Sequence, residues 1–262
     1  MPIPLFHVDA FTAAPFAGNP AAVCPLSHWL DDELLRSVAA ENNLSETAYF
    51  VPNGDSYELR WFTPRCEAKL CGHATLASAF VILEILEPGR GAVVFETLLS
   101  GPLSVRRDRD LLAMDFPAIP PWPCAEPPAA LIEGLGKDPA TVVQIEDNYF
   151  VVYEHEQDVR AIRPDLRLLE KLHPAGVAIT APGHDSDFVS RYFAPSYGIP
   201  EDPVTGSTHC SLAPYWAERL GKTALHARQI SERGGELWCE VREDRVVIKG
   251  QAVLTLRGEL LI

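Results

Sequence analysis

Apolar and polar residues alternate in short blocks along most of the chain, and the blocks are rich in β-branched and aromatic side chains. Half-buried strands have this period of two, so the pattern predicts a protein built largely of short strands. A helical pattern occupies residues 31–40, where acidic residues begin the helix and Asn42 and Asn43 can take the left-handed conformation that ends it. The predicted strands are residues 47–51, 57–62, 92–96, 111–116, 141–153, 177–180, 188–193, 236–241, 246–248 and 252–256.

Two glycine-centred turns each lead into a run that is apolar on all sides. The first turn contains Gly72 and His73 and precedes residues 76–83, and the second contains Gly206 and Ser207 and precedes a similar run. A helix that is apolar all round is buried, so each run predicts a central helix. The first N–H groups of a helix lack intrahelical partners and lie at the positive end of its dipole. Each turn is therefore a candidate site for the carboxylate of a substrate.

The two turns belong to an internal repeat. Arg60-Trp-Phe-Thr-Pro recurs as Arg191-Tyr-Phe-Ala-Pro. Acidic residues follow both copies, Glu67 in the first and Glu201 and Asp202 in the second. The order of strands, glycine turn, helix and further strands is the same in both halves. The repeat predicts a duplicated α+β fold, in which a sheet wraps around one buried helix in each half.

A proline-rich segment separates the halves and indicates an extended linker, because proline fits neither the interior of a helix nor a central strand. The predicted domains are an N-terminal lobe at residues 1–117, a linker at residues 118–128 and a C-terminal lobe at residues 129–262. The C-terminal tail can cross back to the first lobe. In a protein of two lobes the ligand is expected in the cleft between them.

Charge and cysteine content exclude several classes of protein. The formal net charge of −14 indicates a protein that binds neither nucleic acid nor an anionic membrane, since both require a basic patch. No signal peptide and no membrane span are predicted, because the chain lacks a basic N-terminal region and a long apolar stretch. The six cysteines are scattered without a C-x-x-C pair, which fits neither a zinc site nor a dense disulfide framework. We therefore expect reduced thiols in a cytoplasmic protein.

Glu46 is the first candidate for proton transfer. Alternation puts it on the same face of a strand as Ala48 and Phe50. If this face points inward, the carboxylate is partly desolvated, as a general acid/base near neutral pH requires. A surface glutamate at a strand start is the alternative. His73 in the first glycine turn can donate a hydrogen bond to a substrate or relay a proton, or it can satisfy the backbone of the turn.

The second glycine turn offers further polar candidates. Asp202 can handle a proton beside a bound acid, but an Asp-Pro pair is also a common helix start in which Asp202 would be the N-cap. Ser207 can contact an anion, cap the helix, or do both. Asn19 lies in a turn by composition; its side chain could reach a ligand, but a structural role is the favoured interpretation. His209 is interpreted as a partly buried helix residue.

Cys71 suggests a different chemistry, because thiolates at helix N-termini have lowered pKa values and can act as bases. A racemase with two bases needs a second acid on the opposite side of its substrate. The repeat aligns Cys71 with Thr205, which cannot serve. The sequence therefore disfavours a mechanism with two thiols.

Several motifs in register resemble the PhzF-like family of phenazine-biosynthesis isomerases, whose fold is similar to that of diaminopimelate epimerase. The resemblance covers essentially the whole chain. It implies two pseudo-symmetric lobes, each a curved and mostly antiparallel sheet around a central helix. The motifs are Phe11-Thr-x-x-x-Phe-x-Gly-Asn-Pro20, Asn43-Leu-Ser-Glu-Thr47, Arg60-x-Phe-Thr-Pro-x-x-Glu67, Cys71-Gly-His-Ala-Thr-Leu76, Glu201-Asp-Pro-Val-Thr-Gly-Ser207 and Arg228-Gln-x-Ser-x-Arg-Gly-Gly235.

The resemblance implies that Glu46 removes a proton from one carbon of a substrate and returns it to another, without metal or organic cofactor. The implied substrate is a small carboxylate such as a dihydro-hydroxyanthranilic acid, and the implied assembly is a homodimer. The positions that match the family's other active-site residues are His73 and Asp202 for catalysis and Gly72, Gly206 and Ser207 for substrate binding.

Two other functions stay open from the sequence. One is an amino-acid racemase or epimerase that uses Cys71. The other is a binding protein for small carboxylates that keeps the fold without catalysis.

Overall fold

The structure is a computed structural model that describes residues 2–172 and 176–262. The described residues form an α+β fold in which short strands outnumber helices. The α-helices are α1 (Asp32–Asn42), α2 (Gly72–Phe80), α3 (Ala129–Leu135), α4 (Glu156–Ala161), α5 (Leu166–Leu169) and α6 (His209–Leu220). The strands are β1 (Ile3–Ala10), β2 (Asn19–Pro25), β3 (Glu46–Asn53), β4 (Ser56–Phe62), β5 (Glu67–Ala68), β6 (Ala92–Glu96), β7 (Leu103–Asp108), β8 (Leu111–Pro117), β9 (Trp122–Pro123), β10 (Thr141–Gln144), β11 (Asn148–Val152), β12 (Gly176–Pro182), β13 (Phe188–Ala194), β14 (Ile199–Asp202), β15 (Ala224–Gln229), β16 (Gly235–Arg242), β17 (Arg245–Gly250) and β18 (Ala252–Leu260).

The chain divides into two compact units. The first unit consists of Met1–Asp115 with Lys249–Ile262, and the second of Phe116–Ile248. In the first unit β1 pairs antiparallel with β18 and β2, and β2 runs parallel to β3. β4 pairs antiparallel with β3 and β5 and parallel with β6, which continues through β7 to β8.

The second unit repeats this topology strand for strand. β10 pairs antiparallel with β9 and β11, and β11 runs parallel to β12. β13 pairs antiparallel with β12 and β14 and parallel with β15, which pairs antiparallel with β16. In each unit a helix connects the first parallel pair and another helix precedes the last hairpin. The prediction of a duplicated, mostly antiparallel α+β fold is confirmed.

The same ion pair recurs in both copies of the repeat. Nε and Nη2 of Arg60 donate to the two oxygens of Glu67 at 2.7 and 2.8 Å. Arg191 donates in the same way to Glu201, at 2.8 and 2.9 Å. Each guanidinium also lies over a phenylalanine ring of its own strand, at about 5 Å from the ring centre. Such forked pairs tie each long strand, β4 or β13, to the short strand that follows it, β5 or β14.

Helix α2 is the buried helix of the first unit. It packs against β1, β2 and β3, and seven of its residues are buried. Its polar side chains can be buried because they bond to the helix's own carbonyls: Thr75 Oγ1 donates to Cys71 O at 2.6 Å and Ser78 Oγ donates to Ala74 O at 2.8 Å. The apolar run continues as a π-helix at Val81–Leu86.

Helix α6 occupies the corresponding place in the second unit and packs against β15 and β16. Pro214 lies inside it and has no N–H to donate to the carbonyl of Cys210 four residues earlier. The N–H of Ile119, in the proline-rich segment, donates to that carbonyl at 2.9 Å. Gly221 ends the helix in the left-handed conformation, with φ of 63°.

The alternative in which Asp202 caps this helix is wrong. Asp202 is the last residue of β14, and the helix begins only at His209, with Thr208 at the N-cap position. A turn of small residues fills the space between them. Asp202 is therefore held by the sheet, with its carboxylate available for other contacts.

The helix predicted at residues 31–40 is confirmed, and Asn43 closes it with φ of 49°. The strand predicted at residues 141–153 is two strands, because a turn closed by Ile145 N–H to Asn148 O at 3.0 Å interrupts it. Among the described strands, the predicted ranges do not include β1, β2, β5, β7, β9, β14 and β15. In β2 and β15 the reason is composition, because alanine and proline, which have low β propensity, take up much of β2 and alanine recurs in β15.

No helix among residues 2–172 and 176–262 is long and apolar enough to cross a membrane. The six cysteines are free thiols, and four of them are buried.

Candidate active site

Glu46 is a buried carboxylate at the start of β3. β3 pairs with β2 and β4, and its first five residues are all buried, so both faces of the strand are covered there. Only 9% of the Glu46 surface is exposed. The alternative of a surface glutamate is therefore wrong, since a carboxylate is seldom buried without a specific role or partner.

His73 lies beside this carboxylate. It is the second residue of α2, it is buried, and its Nε2 lies 3.2 Å from Oε2 of Glu46. Nδ2 of Asn19 lies 3.1 Å from Nδ1 of His73. An amide nitrogen can only donate, so Nδ1 accepts and the ring proton is on Nε2, on the side of Glu46. Burial lowers the pKa of His73 to about 3, which keeps the imidazole neutral.

The backbone before Asn19 is shaped to bring its side chain to this place. Gly18 has φ of +64°, and a Cβ there would lie 2.2 Å from the carbonyl oxygen of Ala10, so only glycine fits. The carboxylate of Asp9 accepts the N–H of Phe16 at 2.7 Å and fixes the loop. The interpretation of Asn19 as a purely structural turn residue missed its contact with His73, although Asn19 belongs to the first motif of the family resemblance.

Cys71 completes a cluster of three side chains. It is buried, it precedes α2, and its Sγ lies 3.5 Å from Nδ1 and 4.0 Å from Nε2 of His73. One ligand atom each from Glu46, Cys71 and His73 lie within 4.8 Å of one another, so these three could hold a metal ion.

The second unit contains a separate buried polar cluster around Asp202. Thr205 Oγ1 donates to Oδ2 of Asp202 at 2.5 Å. Gln229 Nε2 donates to Asp202 O at 2.8 Å, and Gln229 Oε1 accepts the N–H of Thr205 at 2.8 Å. Sequence reasoning missed Thr205 and Gln229 as members of this cluster. Gln229 could have been found, since it belongs to the last motif of the family resemblance.

The glycine turn of the second unit lies next to this cluster in the chain. Gly206 is buried, whereas Ser207 is exposed in the turn that precedes α6. His209 is fully buried, not partly as predicted, and its Nδ1 donates to Thr205 O at 2.8 Å. Burial lowers the pKa of His209 to about 4. This histidine therefore stabilises the turn through its hydrogen bond to Thr205 and is neutral at ordinary pH.

The predicted site residues thus form one group in each unit. The first unit brings Glu46 and His73 together, with Gly72 beginning the helix that carries His73. In the second unit Asp202, Gly206 and Ser207 lie within one short segment. The expectation that the ligand binds between the two halves stays a prediction.

Comparison with known proteins shows which family the chain resembles. A family model described as phenazine biosynthesis-like protein (PhzC-PhzF) matches residues 8–258. An uncharacterized isomerase of Pseudomonas aeruginosa is 54% identical over 260 residues, which cover 99% of both chains. An uncharacterized isomerase of Halalkalibacterium halodurans is 43% identical over 264 residues, which cover 100% of both chains. A crystal structure of a PhzF-family phenazine biosynthesis protein of Enterococcus faecalis matches with a TM-score of 0.96 and 44% identity, over 100% of both chains.

The fold and the relatives define the class of protein as an isomerase. Within that class, the chain belongs to the phenazine biosynthesis-like (PhzC-PhzF) family.

Proposed function

We propose that the protein is a cofactor-independent isomerase that moves a proton between two carbons of a small carboxylate substrate. Glu46 is the acid/base. The observation that carries this proposal is the position of the buried Glu46 carboxylate, 3.2 Å from a neutral histidine whose proton is on the facing nitrogen.

The reaction needs one base that holds the abstracted proton until it returns that proton to the second carbon of the substrate. Glu46 removes a proton from a carbon of the substrate, and the electron pair of the C–H bond moves into a new double bond. The original double bond gives up its electrons to the second carbon, which receives the same proton from Glu46. Burial keeps bulk water away from the protonated carboxyl, so the proton is returned to the substrate. The Nε2–H of His73 steadies the carboxylate whenever Glu46 is charged.

We infer the substrate class from the polar groups that each unit presents. The N-terminus of α2, at Gly72, offers N–H groups and a positive dipole end to a carboxylate. In the second unit we assign Gly206 and Ser207 to the acid group and Asp202 to an amine of the substrate or to a proton. A dihydro-hydroxyanthranilic acid has all of these groups, and the family's description as phenazine biosynthesis-like supports a compound of this kind.

Isomerisation in D2O tests the proposed step, because a proton that Glu46 returns to the substrate leaves part of the product without deuterium. Dihydro-hydroxyanthranilic acid is incubated with the enzyme in D2O, and NMR follows both isomerisation and deuterium uptake. We expect Glu46→Gln to lose at least about 10³-fold in turnover while it still binds the compound. Glu41→Gln, which changes an exposed glutamate of α1, is the matched control and keeps wild-type turnover. Turnover near that of wild type in Glu46→Gln would contradict the assignment.

The rival function is a racemase or epimerase with Cys71 as base. Its support is the location of the Cys71 thiol in the same cluster, 3.5 Å from His73. The residue at the matching place of the repeat is Thr205, which is not a base. Loss of deuterium exchange at a substrate α-carbon in Cys71→Ser, with exchange kept in Glu46→Gln, would favour the racemase.

A protein that only binds small carboxylates would retain binding and exchange no proton with any ligand. The buried Glu46 disfavours this function. Burial of a carboxylate is unfavourable in free energy, and a buried negative charge does not help a protein to bind anions. We further propose that the enzyme acts in the cytoplasm as a homodimer and needs no organic cofactor or metal. Sedimentation of the purified protein tests the dimer.

A further inference from the structure

The cluster of Glu46, Cys71 and His73 has a composition that the proton shuttle does not require. Sulfur, nitrogen and carboxylate oxygen together form the ligand set that Zn²⁺ and related soft divalent cations prefer. All three residues are buried, and their ligand atoms lie within 4.8 Å of one another. The shuttle itself uses the carboxylate and the imidazole only.

We propose that Glu46, Cys71 and His73 form a binding site for Zn²⁺ or a similar thiophilic divalent cation, and that this cation shuts the enzyme off. The cation binds to an oxygen of Glu46, to Sγ of Cys71 and to Nε2 of His73, with a water as fourth ligand. Inhibition rests on the proposed function, because a carboxylate that is bonded to a metal cannot take a proton from substrate. The binding itself does not depend on that function.

The distances fit tetrahedral coordination with small side-chain movements. Zinc–ligand bonds of about 2.0–2.3 Å place neighbouring ligands roughly 3.3–3.7 Å apart. Nε2 of His73 is already 3.2 Å from Oε2 of Glu46 and 4.0 Å from Sγ of Cys71. A shift of Cys71 Sγ by a few tenths of an ångström towards Nε2 brings these two ligand atoms into that range.

Asn19 fits the role of an outer partner of the metal ligand. A metal on Nε2 leaves the imidazole proton on Nδ1, where Asn19 now donates. Turning the Asn19 amide by half a rotation presents its oxygen to that proton. Metal-bound histidines nearly always have such an acceptor on the other ring nitrogen.

The charges also balance in the buried site. A divalent cation with one carboxylate, one thiolate and one neutral imidazole gives a cluster without net charge, which lowers the cost of burial. Binding breaks the S–H bond of Cys71 and forms the bond from sulfur to the metal. The proton goes to the buffer, so one proton is released for each cation bound. Mg²⁺, which prefers oxygen ligands and octahedral geometry, does not bind here.

Cobalt spectroscopy tests the site without any turnover. Co²⁺ is titrated into the intact protein under reducing conditions, and the sulfur-to-cobalt charge-transfer band is recorded. In wild type we expect the intensity of the band to saturate at one Co²⁺ per chain. Zn²⁺ should abolish the band by displacing Co²⁺, and Mg²⁺ should leave the band unchanged. Cys71→Ser should lose the band, and Cys66→Ser, which changes an exposed cysteine outside the cluster, should keep it. A band that persists in Cys71→Ser, or no band in wild type, would overturn the proposal.

Calorimetry with Zn²⁺ supplies the affinity and the proton count. Loss of an outer partner usually costs 10–100-fold in affinity, so loss of the Cys71 ligand should cost at least about 100-fold. Titration in two buffers of different ionisation enthalpy should give about one proton released in wild type. If Cys71→Ser binds Zn²⁺ as tightly as the control Cys66→Ser, the binding is adventitious only and the proposal is contradicted. If Glu46→Gln retains turnover while wild type still shows the cobalt band, the shuttle fails and the metal site stands.

Discussion

Nε2 of His73 lies 3.2 Å from Oε2 of Glu46, although the two residues belong to different elements of the first unit. β3 carries the carboxylate and α2 carries the imidazole. The amide of Asn19 fixes the tautomer of His73, and burial keeps the ring neutral. The pair is thus built as an acceptor of protons next to a fixed donor, which is the arrangement a single-residue proton shuttle needs.

Replacing His73 tests the donor in this pair. His73→Leu removes the N–H that faces Glu46, and we expect turnover to fall by about 10²-fold or more. His73→Gln keeps an amide N–H in the same region and should lose less. Steady-state kinetics with dihydro-hydroxyanthranilic acid measure both, with His28→Gln as the control at an exposed histidine. Equal losses in the two variants would show that the N–H is not what matters.

Thr205→Val tests the bond that holds Asp202. Valine has the shape of threonine without the hydroxyl, so the buried Asp202 carboxylate loses the donor at 2.5 Å. We expect the free energy of unfolding to fall by about 1–3 kcal/mol. Urea unfolding measures this, and Thr223→Val, at an exposed threonine, should change the free energy by less than about 0.5 kcal/mol. A Thr205→Val protein as stable as wild type would contradict the role of this bond.

The two equivalent arginines should differ in their contribution to stability. Nη1 of Arg191 donates to the buried carbonyls of Val159 and Ile162 at 3.1 and 2.8 Å. Nη1 of Arg60 donates to Asp32, whose side chain is 56% exposed. Lysine cannot replace a guanidinium with several fixed donors.

We therefore expect Arg191→Lys to lower the free energy of unfolding by about 2–3 kcal/mol and Arg60→Lys by about 1 kcal/mol. Urea unfolding of both variants under the same conditions makes the comparison. A larger loss in Arg60→Lys would contradict the importance of the buried carbonyls.

His209 predicts how stability depends on pH. Its pKa in the fold is about 4, below the ordinary value of 6.5. Between these values the unfolded chain binds a proton that the folded chain excludes, so the free energy of unfolding falls as the pH falls from about 6.5 towards 4. The loss attributable to His209 is on the order of 3 kcal/mol.

His209→Gln keeps an N–H for Thr205 O and cannot titrate. The stability of this variant should decline less than that of wild type over the same pH range. The comparison isolates His209, since His73, which is also buried, is present in both proteins. If the free energy of unfolding falls by the same amount in wild type and His209→Gln over this pH range, the role of His209 is contradicted.

The repeat could be predicted because its two copies keep the same residues where the geometry demands them. Arg60 and Arg191 each require an acidic partner, and that partner follows in both copies. Glu46 could be suspected from alternation alone. Its contact with His73 could not, since that distance depends on how α2 packs against β3.

Asn19 and Thr205 show what local pattern leaves out. Asn19 looks like a turn residue because Gly18 and Pro20 flank it, yet it begins a strand whose low β propensity is overridden by its place between β1 and β3. Thr205 looks like one of several small residues in a turn. Its hydroxyl donates to Asp202 and its backbone N–H donates to Gln229 of β15, a residue distant in the sequence.

Transfer of a labelled proton within one molecule tests the central claim most directly. The substrate carries deuterium at the carbon that loses its proton, and the reaction runs in ordinary water to low conversion. If Glu46 takes and returns the same proton, part of the product retains deuterium at the accepting carbon, as mass spectrometry and NMR can measure. Product that contains no deuterium at that carbon, at any conversion, would contradict a shuttle by a single buried carboxylate.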